Sequence, residues 1–542
     1  MQSTEETCCI VTVFENIEKQ VEVNEVSRHG ETRTASKRLS CSGTIVNDRA
    51  GIVICSGLMF SNLIIGKSGS LNDQFSLPHC IRNQLDVYVT LQASTQQCLI
   101  TNQCNGKPGL VKGKSNILSL KAELCMLVNC REFQSAFSNL FKESDNWSFY
   151  SGDEDTELNT NIAFLSWFAV LRVPDLAKSE CSGALQWVQS SCLEKGSVVF
   201  ACGSPFGTFC PDLFMSTLSK GIVSNLAGED NVVILTDARC LPGTEGGGLF
   251  VKNGNEAYLV GLIASPLCWK SKEWIGLTLV CSFQLIIRNI IRSVSLQAPL
   301  KEMCVQMPVV SNCSVASKHS TMKTFPMVAL VDSGQFWGSG ILMNCQLVLT
   351  CRHVLNGKSR LTVRFKTKER FLTVMGEVLY STMETSPYDV AVVLLKEQLP
   401  NIVVPNLSCS FKPGEDVYVI GYGAFGQTSG PTVTSGILSK VFTCHSQPVM
   451  LQTTCAVQAG ASGGAVVLAQ TGELLGLVAS NTLDAVTGVT YPHLNFSVPV
   501  SVLDPLLKRF AQSGDPRTFQ ELDTSDEGVR RAWCLQVQHS KL

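Results

Sequence analysis

The chain repeats itself, and that repeat limits its fold more than any other feature of the sequence. SGTIVN at 42–47 returns as SGILMN at 339–344, and IVICSGLM at 52–59 returns as LVLTCRHV at 347–354. GSVVFACGSPFG at 196–207 resembles GEDVYVIGYGAFG at 414–426, and STLSKGIV at 216–223 resembles TSGILSKV at 434–441. ILTDARCLPGTEGGGLFV at 234–251 lies without a gap against MLQTTCAVQAGASGGAVV at 450–467, and YLVGLIAS at 258–265 lies against ELLGLVAS at 473–480. The same segments in the same order mean two copies of one module. The segments are short and apolar with turn residues between them, so they read as strands, and from 325 to 503 there is room for two six-stranded barrels. The expected fold is therefore all-β, two copies of a double β-barrel. Residues 1–295 form a degenerate copy with insertions at roughly 61–120 and 142–160, and 296–322 form a Ser-rich linker. Residues 323–510 form the compact copy, followed by a polar tail at 511–542.

Composition removes several function classes. Hydrophobic residues make up 45% and charged residues 16%, which excludes disorder for most of the chain. Lys+Arg 43 against Asp+Glu 45 leaves a formal net charge of -2, so there is no electrostatic footprint for nucleic acid or an anionic membrane. The 24 cysteines are scattered without a C-x-x-C pair and only seven histidines are present, which argues against a metal site and for free thiols in a reducing compartment. The N-terminus has acidic residues where a secretory signal needs a basic segment, and the apolar stretches at 258–265 and 276–291 are too short or too interrupted to span a bilayer. An intracellular protein without a cofactor is expected.

The compact copy carries chemistry. In G-A-S-G-G at 460–464, flanking glycines leave the Ser462 hydroxyl accessible and let the backbone make a tight turn. The N–H groups of Gly460 and Ser462 are the pair assigned to an oxyanion hole. His353 follows the apolar strand QLVL in T-C-R-H, and Asp389 heads the apolar run DVAVVLL. The order His, Asp, Ser, with gaps of 36 and 73 residues, places two groups in one barrel and the third in the next, so the site forms at the cleft between them. Serine needs a base to become a nucleophile, which assigns His353 that role and Asp389 the task of orienting the imidazole. The other aspartate in this window, Asp416, lies in the turn KPGED. The other histidine, His445, has no aspartate between it and Ser462. In the first copy Gly246 stands against Ser462 and Leu58 against His353, and the nearest equivalent of Asp389 is Asn161 or a neighbour. The first copy reads as a half that lost catalysis and kept its fold.

With TCRHVL, YDVAVVLL and GASGGA in place, residues 323–510 resemble a trypsin-like serine protease of the HtrA/Deg type. The chain ends Ser540-Lys541-Leu542, a peroxisomal address. Together these resemble the peroxisomal and glyoxysomal processing branch of that family. The resemblance implies a serine endopeptidase of the peroxisomal matrix, brought in by the import receptor that reads S-K-L. Its substrates would be imported matrix precursors, from which it removes N-terminal targeting leaders, and other matrix enzymes, including those of fatty-acid β-oxidation. It also implies cleavage beside cysteine, self-cleavage, and self-association as a homo-oligomer (dimer). In a trypsin-like fold the residue six before the nucleophile floors the S1 pocket. Here that is Ala456, with Val478, Ala479 and Ser480 as the wall, which suits a small uncharged P1 residue. Cys104 in TNQCNGKPG is the candidate self-cleavage point, because loop tips are where nicking concentrates. The 37 residues after Pro505 are too few for the PDZ domain usual in HtrA proteases, and the polar tail is expected to extend from the body. The competing readings are a quality-control protease outside the peroxisome and a non-catalytic peptide-binding scaffold.

Overall fold

The computed structural model describes residues 4–15, 37–61, 74–75, 85–92, 117–142, 146–149, 164–176, 184–270, 273–294, 325–367, 370–400, 402, 404–483 and 490–533. Its strands form four antiparallel rings of six. In the first half, Cys8–Glu15, Lys37–Asn47, Ile52–Ser56, Leu85–Gln92, Ile117–Asn129 and Trp167–Arg172 close because Ile117–Asn129 pairs with both Leu85–Gln92 and Trp167–Arg172. Val198–Gly203, Thr217–Ala227, Val233–Thr236, Gly248–Asn253, Glu256–Ser265 and Thr278–Ser282 form the second barrel. The third comprises Val328–Asp332, Trp337–Leu342, Leu347–Thr350, Arg360–Lys366, Phe371–Ser381 and Ala391–Leu395. Asp416–Gly421, Thr432–Cys444, Gln447–Thr453, Ala465–Leu468, Leu474–Leu483 and Thr490–Pro499 form the fourth.

Alternation builds these walls. In Arg360–Lys366 the residues Leu361, Val363 and Phe365 turn inward and are buried, while the residues between them are more exposed. Each double barrel ends in a helix, Phe283–Val294 in the first half and Val500–Ser513 in the second.

Three expectations need correction. The stretch 61–120 is not all insertion. It carries the barrel strand Leu85–Gln92 and the start of Ile117–Asn129, whose outward residues are polar enough to hide the pattern. Two strands of the compact copy also escape its apolar runs. Phe371–Ser381 alternates with Thr, Glu and Ser, and Thr490–Pro499 contains Pro492, which normally demotes a strand. Finally, the polar tail does not extend from the body up to residue 533. Pro516–Leu522 and Glu527–Trp533 pack back on the second half with Phe519, Leu522 and Val529 buried, and Trp533 Nε1 donates to Val449 O at 3.0 Å. Three apolar side chains in a polar stretch are enough to dock it. The 296–322 linker, Cys104 and Ser540-Lys541-Leu542 lie outside the described residues. Every cysteine among the described residues is a free thiol, most of them buried.

The two halves meet along Thr217–Ala227 and Thr432–Cys444. Asn225 Nδ2 donates to Thr432 Oγ1 at 3.0 Å, and Asp237 Oδ2 accepts from Ser435 N at 2.5 Å and Ser435 Oγ at 2.7 Å. Burial pushes the Asp237 carboxyl above its ordinary value despite these donors. Lys195 Nζ donates to Ser429 O (3.0 Å) and Pro431 O (2.6 Å), and burial brings its ammonium down to about 7. Phe425 of the second half is buried among aromatic rings of the first, edge-on to Phe141 at 5.4 Å and stacked on Trp147 at 5.1 Å.

Candidate active site

Ser462 sits in a turn that only glycine can flank. Gly460 has φ +92° and Gly463 φ +85°. A Cβ on Gly460 would lie 2.1 Å from the Trp337 ring and 2.6 Å from Tyr422 O, and one on Gly463 would lie 2.0 Å from Ser339 O. The turn belongs to the fourth barrel but is bonded to the third. Ser339 N donates to Ser462 O (2.8 Å), and Ser339 Oγ donates to Gly460 O (2.8 Å). Ala461 N, Gly463 N and Gly464 N donate to Gln458 O, Val478 O and Ala461 O. Among the described residues, Gly460 N–H and Ser462 N–H are the two in this turn left without a partner. That matches what an oxyanion hole requires.

His353 lies in the short helix Arg352–Leu355, directly after the strand Leu347–Thr350, and Asp389 directly precedes Ala391–Leu395. Neighbouring strands of one barrel thus set the pair. Asp389 Oδ2 stands 2.5 Å from His353 Nδ1, and Oδ1 accepts His353 N–H at 3.1 Å. Burial alone would raise the Asp389 carboxyl, but the hydrogen bonds and charge of His353, with Arg352 Nε at 3.9 Å, hold it below the usual value. With the Nδ1 proton facing a carboxylate, Nε2 is the acceptor. Gly338 lies between the residue after His353 and the Ser462 turn: a Cβ there would fall 2.5 Å from the Val354 side chain and 3.1 Å from Ser462 O.

The alternatives stand elsewhere. His445 sits at a hairpin turn with Asp526 Oδ2 at 3.2 Å from its Nε2, and Asp416 is an exposed residue opening a strand. Cys351 lies close enough to His353 and Asp389 to complete a metal-sized cluster, but it is a buried thiol donating to Val478 O at 3.2 Å, and burial holds it protonated. In the second such cluster, Cys444, His445 and Asp526, Asp526 Oδ1 already accepts the N–H groups of Gly528 and Val529 at the start of a helix.

Ala456 is buried, and its Cβ lies 3.3 Å from where a Cβ on Gly276 would point, beside Pro492 and His493. Val478 is fully buried in the fourth barrel, with N–H and C=O bonded to Gly464 and Gly463, while Ala479 is buried and Ser480 half-buried.

The first half gives a second correction. Gly246, with φ +81° and N–H bonded to Ile263 O, is the counterpart of Gly463, which has φ +85° and its N–H bonded to Val478 O. Gly247 likewise matches Gly464, since each donates to the residue three before it and accepts from the facing strand. Glu245, not Gly246, therefore occupies the place of Ser462. The ungapped match was one residue out of register because it did not superpose E-G-G on S-G-G. The facing pairs Cys55–Ala169 and Thr350–Ala391 place Trp167, not Asn161, opposite Asp389, and Leu58 opposite His353. Asn161 itself lies outside the described residues. Glu245 Oε2 accepts Gly243 N–H at 2.9 Å, the donor equivalent to Gly460 N–H, so a carboxyl of the first half fills its own vestigial hole. Oε1 has no partner among the described residues, and burial pushes the group up to about 7.

A carboxyl with a raised folded pKa favours the fold in its neutral form. That contribution is complete below about pH 4.5 and is lost as pH rises through about 7, a swing on the order of 3 kcal/mol. Glu245→Gln keeps the acceptor for Gly243 and removes the charge. Its expected effect is a higher melting temperature at pH 8 and none at pH 4. Equal shifts at both pH values would contradict the assignment.

A trypsin-like peptidase domain model matches residues 338–477. The chain is 39% identical to the mouse (Mus musculus) peroxisomal leader peptide-processing protease, covering 95% of this chain and 96% of that one. It is 38% identical to the human (Homo sapiens) protein of the same name, covering 92% of each. A Do-like protease of Arabidopsis thaliana is 28% identical over 34% of this chain and 43% of its own.

Proposed function

Because the chain belongs to the family of peroxisomal leader peptide-processing proteases, which makes it a serine endopeptidase of the peroxisome, we propose that it removes N-terminal targeting leaders from imported matrix proteins. Other matrix enzymes, those of fatty-acid β-oxidation among them, belong to the same substrate class. The observation that carries the chemistry is the doubly bonded His353–Asp389 pair together with the glycine-flanked Ser462 turn, both tied to Val478 O, which accepts from Cys351 Sγ and from Gly463 N. Ser462 Oγ attacks the scissile carbonyl while His353 Nε2 takes its proton, and Asp389 holds the imidazolium. The N–H groups of Gly460 and Ser462 receive the oxyanion, at roughly 3 to 4 kcal/mol per donor. His353 returns the proton to the leaving amine, and water then releases the acyl group by the same route in reverse.

Ala456, small and uncharged at the floor position, supports a small uncharged P1 residue such as cysteine. Residues 1–295 serve as a non-catalytic partner domain, 323–510 as the catalytic one, and the chain works as a homo-oligomer. Import through the receptor for Ser540-Lys541-Leu542 and self-cleavage after Cys104 complete the proposal.

Incubating the purified chain with a leader-bearing matrix precursor, and reading all products by mass spectrometry, tests it. The expected result is loss of the leader with a small uncharged residue at the new C-terminus. Products ending mainly in Arg or Lys would overturn the pocket assignment, and an intact precursor would overturn the substrate assignment. The enzyme's own fragment masses test Cys104.

A further inference from the structure

A cavity of about 260 Å³ opens beside the Ser462 turn, and both halves of the chain line it. Gly460, Gln458 and Trp337 come from the second half. Lys270, Glu273 and Ile275 come from a hairpin of the first half, in which Cys268–Lys270 pairs with Glu273–Trp274. None of Ala456, Val478, Ala479 or Ser480 lines it, while Gly460, an assigned oxyanion donor, does. A peptide whose acyl side runs toward Ala456 therefore leaves its other side, the departing peptide, facing this cavity. The hairpin is not loosely apposed to the site. Gln458, itself buried, donates from Nε2 to Ile275 O at 2.8 Å, two residues before Gly460. On the same rim Ala424 precedes Phe425, which is sunk in the first half's aromatic cluster.

We propose that this cavity is a subsite for the first residues after the scissile bond, and that the non-catalytic half selects them by charge through Lys270 and Glu273. The half that lost its own triad thereby becomes part of its neighbour's active site. Ile275 and Trp337 offer apolar lining for the stem of a long side chain, and its end is read by Glu273 and by Lys270, which faces Glu273 in strand register and whose Nζ also lies over the Trp147 ring at 5.2 Å. The inference rests on the assignment of Ser462 as nucleophile.

The test uses the full chain and peptides that differ only in the two residues after the cleavage point. The readout is the ratio of kcat/KM for lysine over glutamate at those positions. Glu273→Lys is expected to lower the ratio about fivefold, and Lys270→Glu to raise it by a similar factor, as partly exposed charges do. Glu273→Gln, which disturbs the hairpin least, should lower it about twofold. Ratios at the wild-type value in variants that melt normally and still label at Ser462 with a fluorophosphonate would overturn the inference alone. A wild-type chain that does not label at Ser462 would overturn the nucleophile assignment beneath it.

Discussion

Ser462→Ala is expected to lower kcat for leader removal by about 10⁶-fold, with little change in precursor binding. The methyl side chain fits the same turn, since Ser462 is held through its main chain by Ser339 N and by the flanking glycines. The variant should therefore melt as the native chain does. Without Oγ no acyl-enzyme forms, and the remaining machinery, two N–H donors and a base, offers water only residual assistance. The comparison is made by single-turnover kinetics on one precursor, with fluorophosphonate labelling as the second readout. A variant that keeps a tenth of the native rate would remove Ser462 as nucleophile. Loss of both activity and the thermal transition would mean that the substitution had failed as a test, and Ser462→Gly would then be used in its place.

Asp389→Asn is expected to cost about 10⁴-fold in kcat with KM nearly unchanged. An asparagine is the same size and can still accept His353 N–H, the bond now made to Oδ1 at 3.1 Å. Its amide then faces Nδ1 with a donor, where the native carboxylate presents an acceptor at 2.5 Å. The imidazole answers by moving its proton to Nε2, the atom that must be free to take the proton of Ser462. The effect is one of tautomer, so it should be large in rate and small in fold. The native carboxyl is held low by His353 and Arg352 against the opposing effect of burial. Its contribution to stability is present above the ordinary carboxylate pKa and lost as pH falls through the lowered one, so the stability difference between native chain and variant should shrink only in acid. A drop below tenfold at neutral pH would mean that His353 is oriented by something other than Asp389.

These residues were legible because each is announced locally. His353 and Asp389 stand at the ends of strongly apolar strands, and Ser462 stands between glycines that tolerate positive φ. Glu245 was not legible in the same way. Three glycines in a row, Gly246 to Gly248, match Gly463 and Gly464 in more than one register as letters. As backbone they match in only one, because positive φ falls at Gly243 and Gly246 just as it does at Gly460 and Gly463. Aligning on that pair of conformations moves the counterpart of Ser462 from a glycine to a buried carboxyl.

The sequence by itself determined the strand content, the duplication and the order His353, Asp389, Ser462, because these are written in neighbours: period-two alternation, turn residues and recurring strings. The tertiary structure decided what lies far apart in the chain. It closed each ring of six strands, docked 516–533 through Phe519, Leu522 and Val529, and sank Phe425 between Phe141 and Trp147. It also carried Ile275 of the inactive half to Gln458 beside the oxyanion turn, 183 positions along the chain. The physical reason is that backbone conformation and strand patterning are short-range properties, whereas a cavity wall exists only when surfaces that share no local pattern are packed against each other.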